Sequence, residues 1–145
     1  MPVRVCLLLL VVLLLLSACD DKERIAIEVG QVKATVELAS NPEARRQGLM
    51  GRTELGRDQG MLMVFPSPEV LSIWMLNTNI PLDVGFFDAQ GKLINTVSMW
   101  PDGGKQIHNS LRPSVYALEM NMGWFERYGL KPGVKLKLPN PIQAR

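Results

Sequence analysis

The sequence predicts a mainly β domain, a small sandwich or barrel-like fold with one or two short helices, lying behind an export signal. Three observations predict it. The first mature segments alternate apolar and polar residues with the period of a half-buried strand. Further strand-length apolar runs follow, about seven or eight strands in all, with turn residues between them at the spacing of a sandwich or barrel. The helical stretches between them are at most two turns long.

The chain begins with Arg4 and an unbroken apolar run from Val5 to Leu16. That run is too short for a spanning helix, which needs about 20 residues, and matches the apolar region of a secretory signal. Leu16-Ser17-Ala18-Cys19 follows. It resembles a lipobox, in which Cys19 receives a diacylglycerol and becomes the new N-terminus. Two or more acyl chains give stable attachment where one gives only marginal binding. The expected organisation is a signal peptide over 1–18, a lipidated terminus and short tether over 19–23, a domain over 24–139 and a tail over 140–145. The expected location is a membrane surface facing the periplasm or the cell exterior. Asp20 favours the inner membrane if the envelope is Gram-negative.

Both cysteines are spent by this processing, Cys6 with the signal and Cys19 on lipid, so no disulfide is expected despite the oxidising compartment. The chain holds 16 Lys and Arg against 14 Asp and Glu; losing Arg4 leaves it close to neutral. No basic patch suggests nucleic acid, and export argues against that partner.

The elements follow in order. Ile25, Ile27 and Val29 alternate, then Gly30-Gln31 turns into a second alternating run of Val32, Ala34, Val36 and Leu38. Ser40 with Glu43 fits a capping box, with Pro42 in the first turn and Gly48 as the stop of a short helix. Met61 to Phe65 is an apolar run closed by Pro66-Ser67-Pro68, and Leu71 to Leu76 is another. Val84–Phe87 and Lys92–Trp100 flank a Gly-containing loop, as in a hairpin. A long polar loop runs from Pro101 to Asn109. Val115–Met120 is a strand, Gly123–Tyr128 a short helix, and Val134–Leu138 a last strand whose Lys135 and Lys137 face water and guard an edge.

Several of these segments together resemble the DUF192 family. They are Arg46-Gln47-Gly48-Leu49-Met50 with Arg52, Gly60-Met61-Leu62 to Phe65, and Trp74-Met75-Leu76-Asn77-Thr78-Asn79-Ile80-Pro81-Leu82-Asp83 followed by Phe86-Phe87-Asp88. Tyr116-Ala117-Leu118-Glu119, Gly123, Gly129-Leu130 and Gly133 complete the pattern. The resemblance spans the domain and implies a mainly β sandwich of unknown function. Leu76 stands where the family usually carries Lys.

Asp83 lies between two apolar runs, so its carboxylate is either hydrogen-bonded by backbone amides or aimed into a pocket. Asn77 and Thr78 can close a turn through their side chains. The alternative is a ligand site, with Trp74 as a stacking wall and Asn77, Thr78, Asp83, Glu119 and Arg52 as polar contacts. The leading expectation is therefore non-catalytic binding of a small polar ligand or an envelope protein. Catalysis has little to recommend it. His108 is the only histidine, no free thiol survives processing, and no nucleophile elbow or phosphate loop is present. A hydrolase would have to use Asp83, Glu119 and His108. No cofactor is implied, and a zinc or hard-metal site lacks ligands. Met61-Leu62-Met63 and Met120-Asn121-Met122 leave Cu(I) as a further alternative, since Met-x-Met on a strand puts both thioethers on one face. Core filling is the simpler role for them.

Overall fold

The computed structural model describes residues 22–145. It is mainly β, as the sequence predicts, but the architecture is one curled half-barrel sheet with a small second sheet beside it. Among the described residues nine strands form: β1 (Arg24–Val29), β2 (Val32–Ala39), β3 (Gln59–Glu69), β4 (Ser72–Trp74), β5 (Leu82–Phe87), β6 (Leu93–Met99), β7 (Ile107–Asn109), β8 (Ser114–Asn121) and β9 (Leu136–Lys137). Two short helices among the described residues, α1 (Pro42–Gln47) and α2 (Trp124–Arg127), interrupt them.

The large sheet runs β6-β5-β8-β3-β2-β1-β9, and β4 pairs with β7 in a separate ribbon. The opening hairpin forms as expected, with Val29 opposite Val32. β2 and β3 are parallel, and the connection between them over residues 40–58 carries α1. A crossover is needed because a tight turn joins only antiparallel strands. The other pairings in the sheet are antiparallel.

The middle of this sheet is buried on both faces and its outer strands on one, and that explains which strands alternate. β5 is buried at every position, whereas β1 keeps exposed residues on one side. One apolar cluster includes Leu62, Val64, Phe87, Leu118, Met120 and Trp124; the other includes Met61, Met63, Val84, Phe86, Met99 and Ala117. Consecutive residues of β3, β5 and β8 thus enter opposite cores, as strand geometry demands. Gly85 makes room for α2: a Cβ there would stand 2.5 Å from Phe125 Cζ. Ile142 and Ala144, near the end of the chain, pack against the first cluster.

Two expectations are corrected. The helix cap is Asn41, not Ser40: its side chain accepts from the Ala44 amide at 2.9 Å. Both residues are good N-caps, so the pattern alone misplaced the start by one. The expected loop over 101–109 contains β7, paired with β4 from Ser72–Asn109 to Trp74–Ile107. The lipobox and Cys19 lie outside the described residues.

Candidate functional site

Three carboxylates are buried in strands of the large sheet, and their partners differ. Glu37, in β2, receives a bidentate pair of hydrogen bonds from Arg52 at 2.5 and 2.6 Å. Its burial favours the neutral acid. The Arg52 hydrogen bonds and charge, helped by Lys22 and Arg24, outweigh that and hold it below the ordinary carboxylate value. Asp83, in β5, accepts from the Ser98 hydroxyl at 2.7 Å and from the Gly123 amide at 2.8 Å. Ser98 is its cross-strand neighbour, and Gly123 opens α2. Glu119, in β8, has neither arrangement. It is 3% exposed, and its Oε2 is buried with no hydrogen-bond partner. Burial alone pushes it up from an ordinary 4.5 to about 7.

Register sets this contrast. Asp83 stands opposite Met120 and Val84 opposite Glu119. Directly paired residues share a face, so Asp83 and Glu119 point to opposite sides of the sheet. Glu119 belongs with Met61, its partner across β3.

On the Glu119 side lies a cleft of about 180 Å³. Glu119 forms part of its lining, with Met63, Phe65, Ile73, Trp74, Leu76 and Thr78 around it and the end of α1 alongside. Gly48 follows that helix with φ +50°. A Cβ there would come within 3.2 Å of the Met63 methyl and 3.9 Å of Glu119 Oε2, so glycine both permits the turn and keeps the approach to the acid open. Arg45 is positioned elsewhere than on a solvated face: it donates to the Val64 carbonyl at 2.8 Å and stacks over Phe65, 4.9 Å from the ring centroid. Ser72, also at the cleft, donates to Asn109 Oδ1 at 2.7 Å.

The expected site residues divide between this cleft and other places. Trp74, Thr78 and Glu119 line it together. Thr78 is buried and donates to the Leu76 carbonyl at 3.2 Å. Asn77 lines a neighbouring cavity with Trp74 and Leu76. Its φ of +51° is the single positive value at a non-glycine among the described residues, and its carbonyl accepts from Gly51, so it is also a turn residue. Asp83 faces the other core. Arg52 lines a separate polar cavity of about 440 Å³ with Glu37, Arg24 and Glu54. His108 sits in β7 opposite Ile73, with Nε2 buried and unpartnered. Asp83, Glu119 and His108 therefore do not assemble into one constellation, because the first two are separated by the sheet.

Met61 and Met63 do share a face, inside the apolar cluster that also takes Met75 and Met99, while Met120 lies in the opposite core. Among the described residues, no group of three or more His, Cys, Asp or Glu is placed to hold a metal. Sequence reasoning did not single out Glu37, and it read Gly48 as a helix stop and Met63 as a core or Cu(I) residue rather than as parts of this cleft. The signal for Glu37 was a charged residue flanked by Val36 and Leu38; its meaning needed Arg52 in space.

Residues 25–138 match the family model DUF192, described as an uncharacterized ACR, and the chain belongs to this family. A crystal structure from Sinorhizobium meliloti 1021, described as that of a candidate transcription regulator, is similar at 34% identity and TM-score 0.72, covering 81% of this chain and 93% of that one. A protein of unknown function from Novosphingobium aromaticivorans is similar at 29% identity and TM-score 0.76, covering 83% and 89%. Comparison with curated proteins gives no match.

Proposed function

We propose that this DUF192 domain is a lipid-anchored, extracytoplasmic binding module that takes a small polar ligand in the cleft over Glu119. One observation carries the reading: Glu119 is a buried acid whose Oε2 has no protein partner, and the residue lines an open cavity. Leaving such a group unpaired costs about 1–3 kcal/mol, and an apolar residue there would avoid the cost. A ligand that completes its hydrogen bonding explains the arrangement. Trp74 supplies a flat apolar wall, and the Thr78 and Ser72 hydroxyls keep lone pairs free to accept. Below about pH 7 the Glu119 carboxyl is a donor as well as an acceptor. The set suits a neutral molecule bearing hydroxyl or amide groups, such as a sugar or cell-wall fragment.

Transcriptional regulation, the role in the description of the Sinorhizobium protein, is not adopted. Arg45 and Arg46 line the cleft beside Glu119, so charge does not decide the matter; the export signal read from the sequence is what separates this domain from DNA. Binding is tested by thermal shift of residues 22–145 against monosaccharides, N-acetylated amino sugars and cell-wall peptides at pH 5 and pH 8. A ligand at about 100 times its Kd stabilises by about 2.7 kcal/mol. The shift should vanish in Glu119→Leu and Gly48→Val, each checked for folding. A panel with no shift, or a shift that both variants retain, contradicts the cleft as the binding site.

A further inference from the structure

The β4–β7 ribbon is apolar on both of its faces. Its inner face contributes Leu71, Ile73 and Met75 to the core. Trp74 stands opposite Ile107 and Ser72 opposite Asn109. The Ser110 amide bonds to the Leu71 carbonyl at 3.0 Å, which continues the pairing toward Val70 and Leu111. Alternate strand residues share a face, so Val70, Ser72 and Trp74 point outward with Ile107, Asn109 and Leu111. The large apolar members are 56% (Val70), 43% (Trp74), 54% (Ile107) and 77% (Leu111) exposed. Trp100 is the single other large apolar residue so exposed among those described. Scattered apolar residues are ordinary on a surface, but four on one small ribbon face form a patch that marks an interaction surface.

Its surroundings indicate what covers it. Exposed Lys105 lies two residues before β7 and exposed Arg112 directly follows Leu111, with Glu69 the acidic neighbour beside Val70. The chain enters the domain nearby. One cavity is lined by Lys22, Glu43 and Gln47, and another by Glu43, Gln47 and Trp74. Only α1 therefore separates Lys22 from Trp74, a helix being about 10–12 Å across. Cys19 precedes Lys22 by three residues, a reach of at most about 11 Å. A domain on so short a tether cannot stand off the surface that holds the anchor.

We propose that the outer face of the β4–β7 ribbon rests in the headgroup–acyl boundary of an anionic bilayer, with Trp74, Ile107 and Leu111 inserted and Lys105 and Arg112 at the headgroups. Tryptophan and basic residues favour that depth. Because Trp74 also walls the cleft, this placement sets the ligand site beside the membrane surface. The inference rests on the anchored reading but not on ligand binding.

The test uses the full-length lipidated chain in phosphatidylethanolamine–phosphatidylglycerol vesicles, with and without bromine on the acyl chains. Brominated lipid should quench tryptophan emission. Trp74→Phe should lower the quenching at least about two-fold, as should Ile107→Ser/Leu111→Ser, which keeps Trp74 as reporter. Trp100→Phe should retain the Trp74 component, and buried Trp124 should contribute none. Circular dichroism should show every variant folded. A chain that floats with vesicles but is not quenched overturns the docking while leaving the anchor intact. Failure to float overturns both. A ribbon variant that instead changes the oligomeric state, read by light scattering, assigns the patch to a second copy and overturns the membrane proposal.

Discussion

The two faces of the large sheet carry similar apolar cores and opposite treatments of a buried acid. On one face Asp83 is held by the Ser98 hydroxyl and the amide that opens α2, and it joins β5, β6 and that helix. The Trp124 ring lies there too, edge-on to Phe125 and Tyr128, with its N–H donating to Asp58 at 3.0 Å. On the other face Glu37 is held by Arg52, but Glu119 adjoins a cleft with an oxygen unpaired. Buried polar groups in native proteins are almost always satisfied, so the first face reads as scaffold and the second as site.

The contrast can be broken first with tryptophan. Trp124→Ala should destabilise by about 3–5 kcal/mol, the usual cost of removing a fully buried indole. Trp74→Ala, on the exposed ribbon, should change stability by no more than about 0.5 kcal/mol. Denaturant melts check both, and comparable losses would mean that the cleft side is scaffold as well. The next effect is smaller. Asp83→Asn should fold but lose about 1–3 kcal/mol, since the amide replaces one acceptor oxygen by a donor facing donors. Equal midpoints at neutral pH would remove Asp83 from the scaffold.

How much of this was legible depended on whether the cause was local. The β1–β2 hairpin, the apolar runs of β3, β5 and β8 and the mainly β class follow from periodicity and turn residues. β7 did not, because Ile107-His108-Asn109 has no apolar run and becomes a strand only by pairing with distant β4. Trp74, Thr78 and Glu119 were singled out from the sequence and do line one cleft. Asp83 was grouped with them because side-chain direction depends on register. A shift of one residue reverses every face, and register is a property of the partner strand. For the same reason the link between Arg52 and Glu37 was invisible, although both residues were in plain view. The meaning of Leu76 changed as well: it lines the cleft, where the family-typical lysine would bring an ammonium near Glu119.

The central claim, that Glu119 is a strained acid maintained for a ligand, is tested most directly by the pH dependence of stability without ligand. Between its ordinary 4.5 and about 7, folded Glu119 keeps a proton that the unfolded chain has released. Its contribution therefore falls as pH rises through that window and is constant above it, a loss of about 3 kcal/mol. Urea melts of wild type and Glu119→Gln should nearly coincide at pH 4.5 and diverge toward pH 8, where the Gln variant should be the more stable by up to that amount. Parallel curves, or a Gln variant less stable at pH 8, would contradict the account and place Glu119 among the satisfied acids of the scaffold.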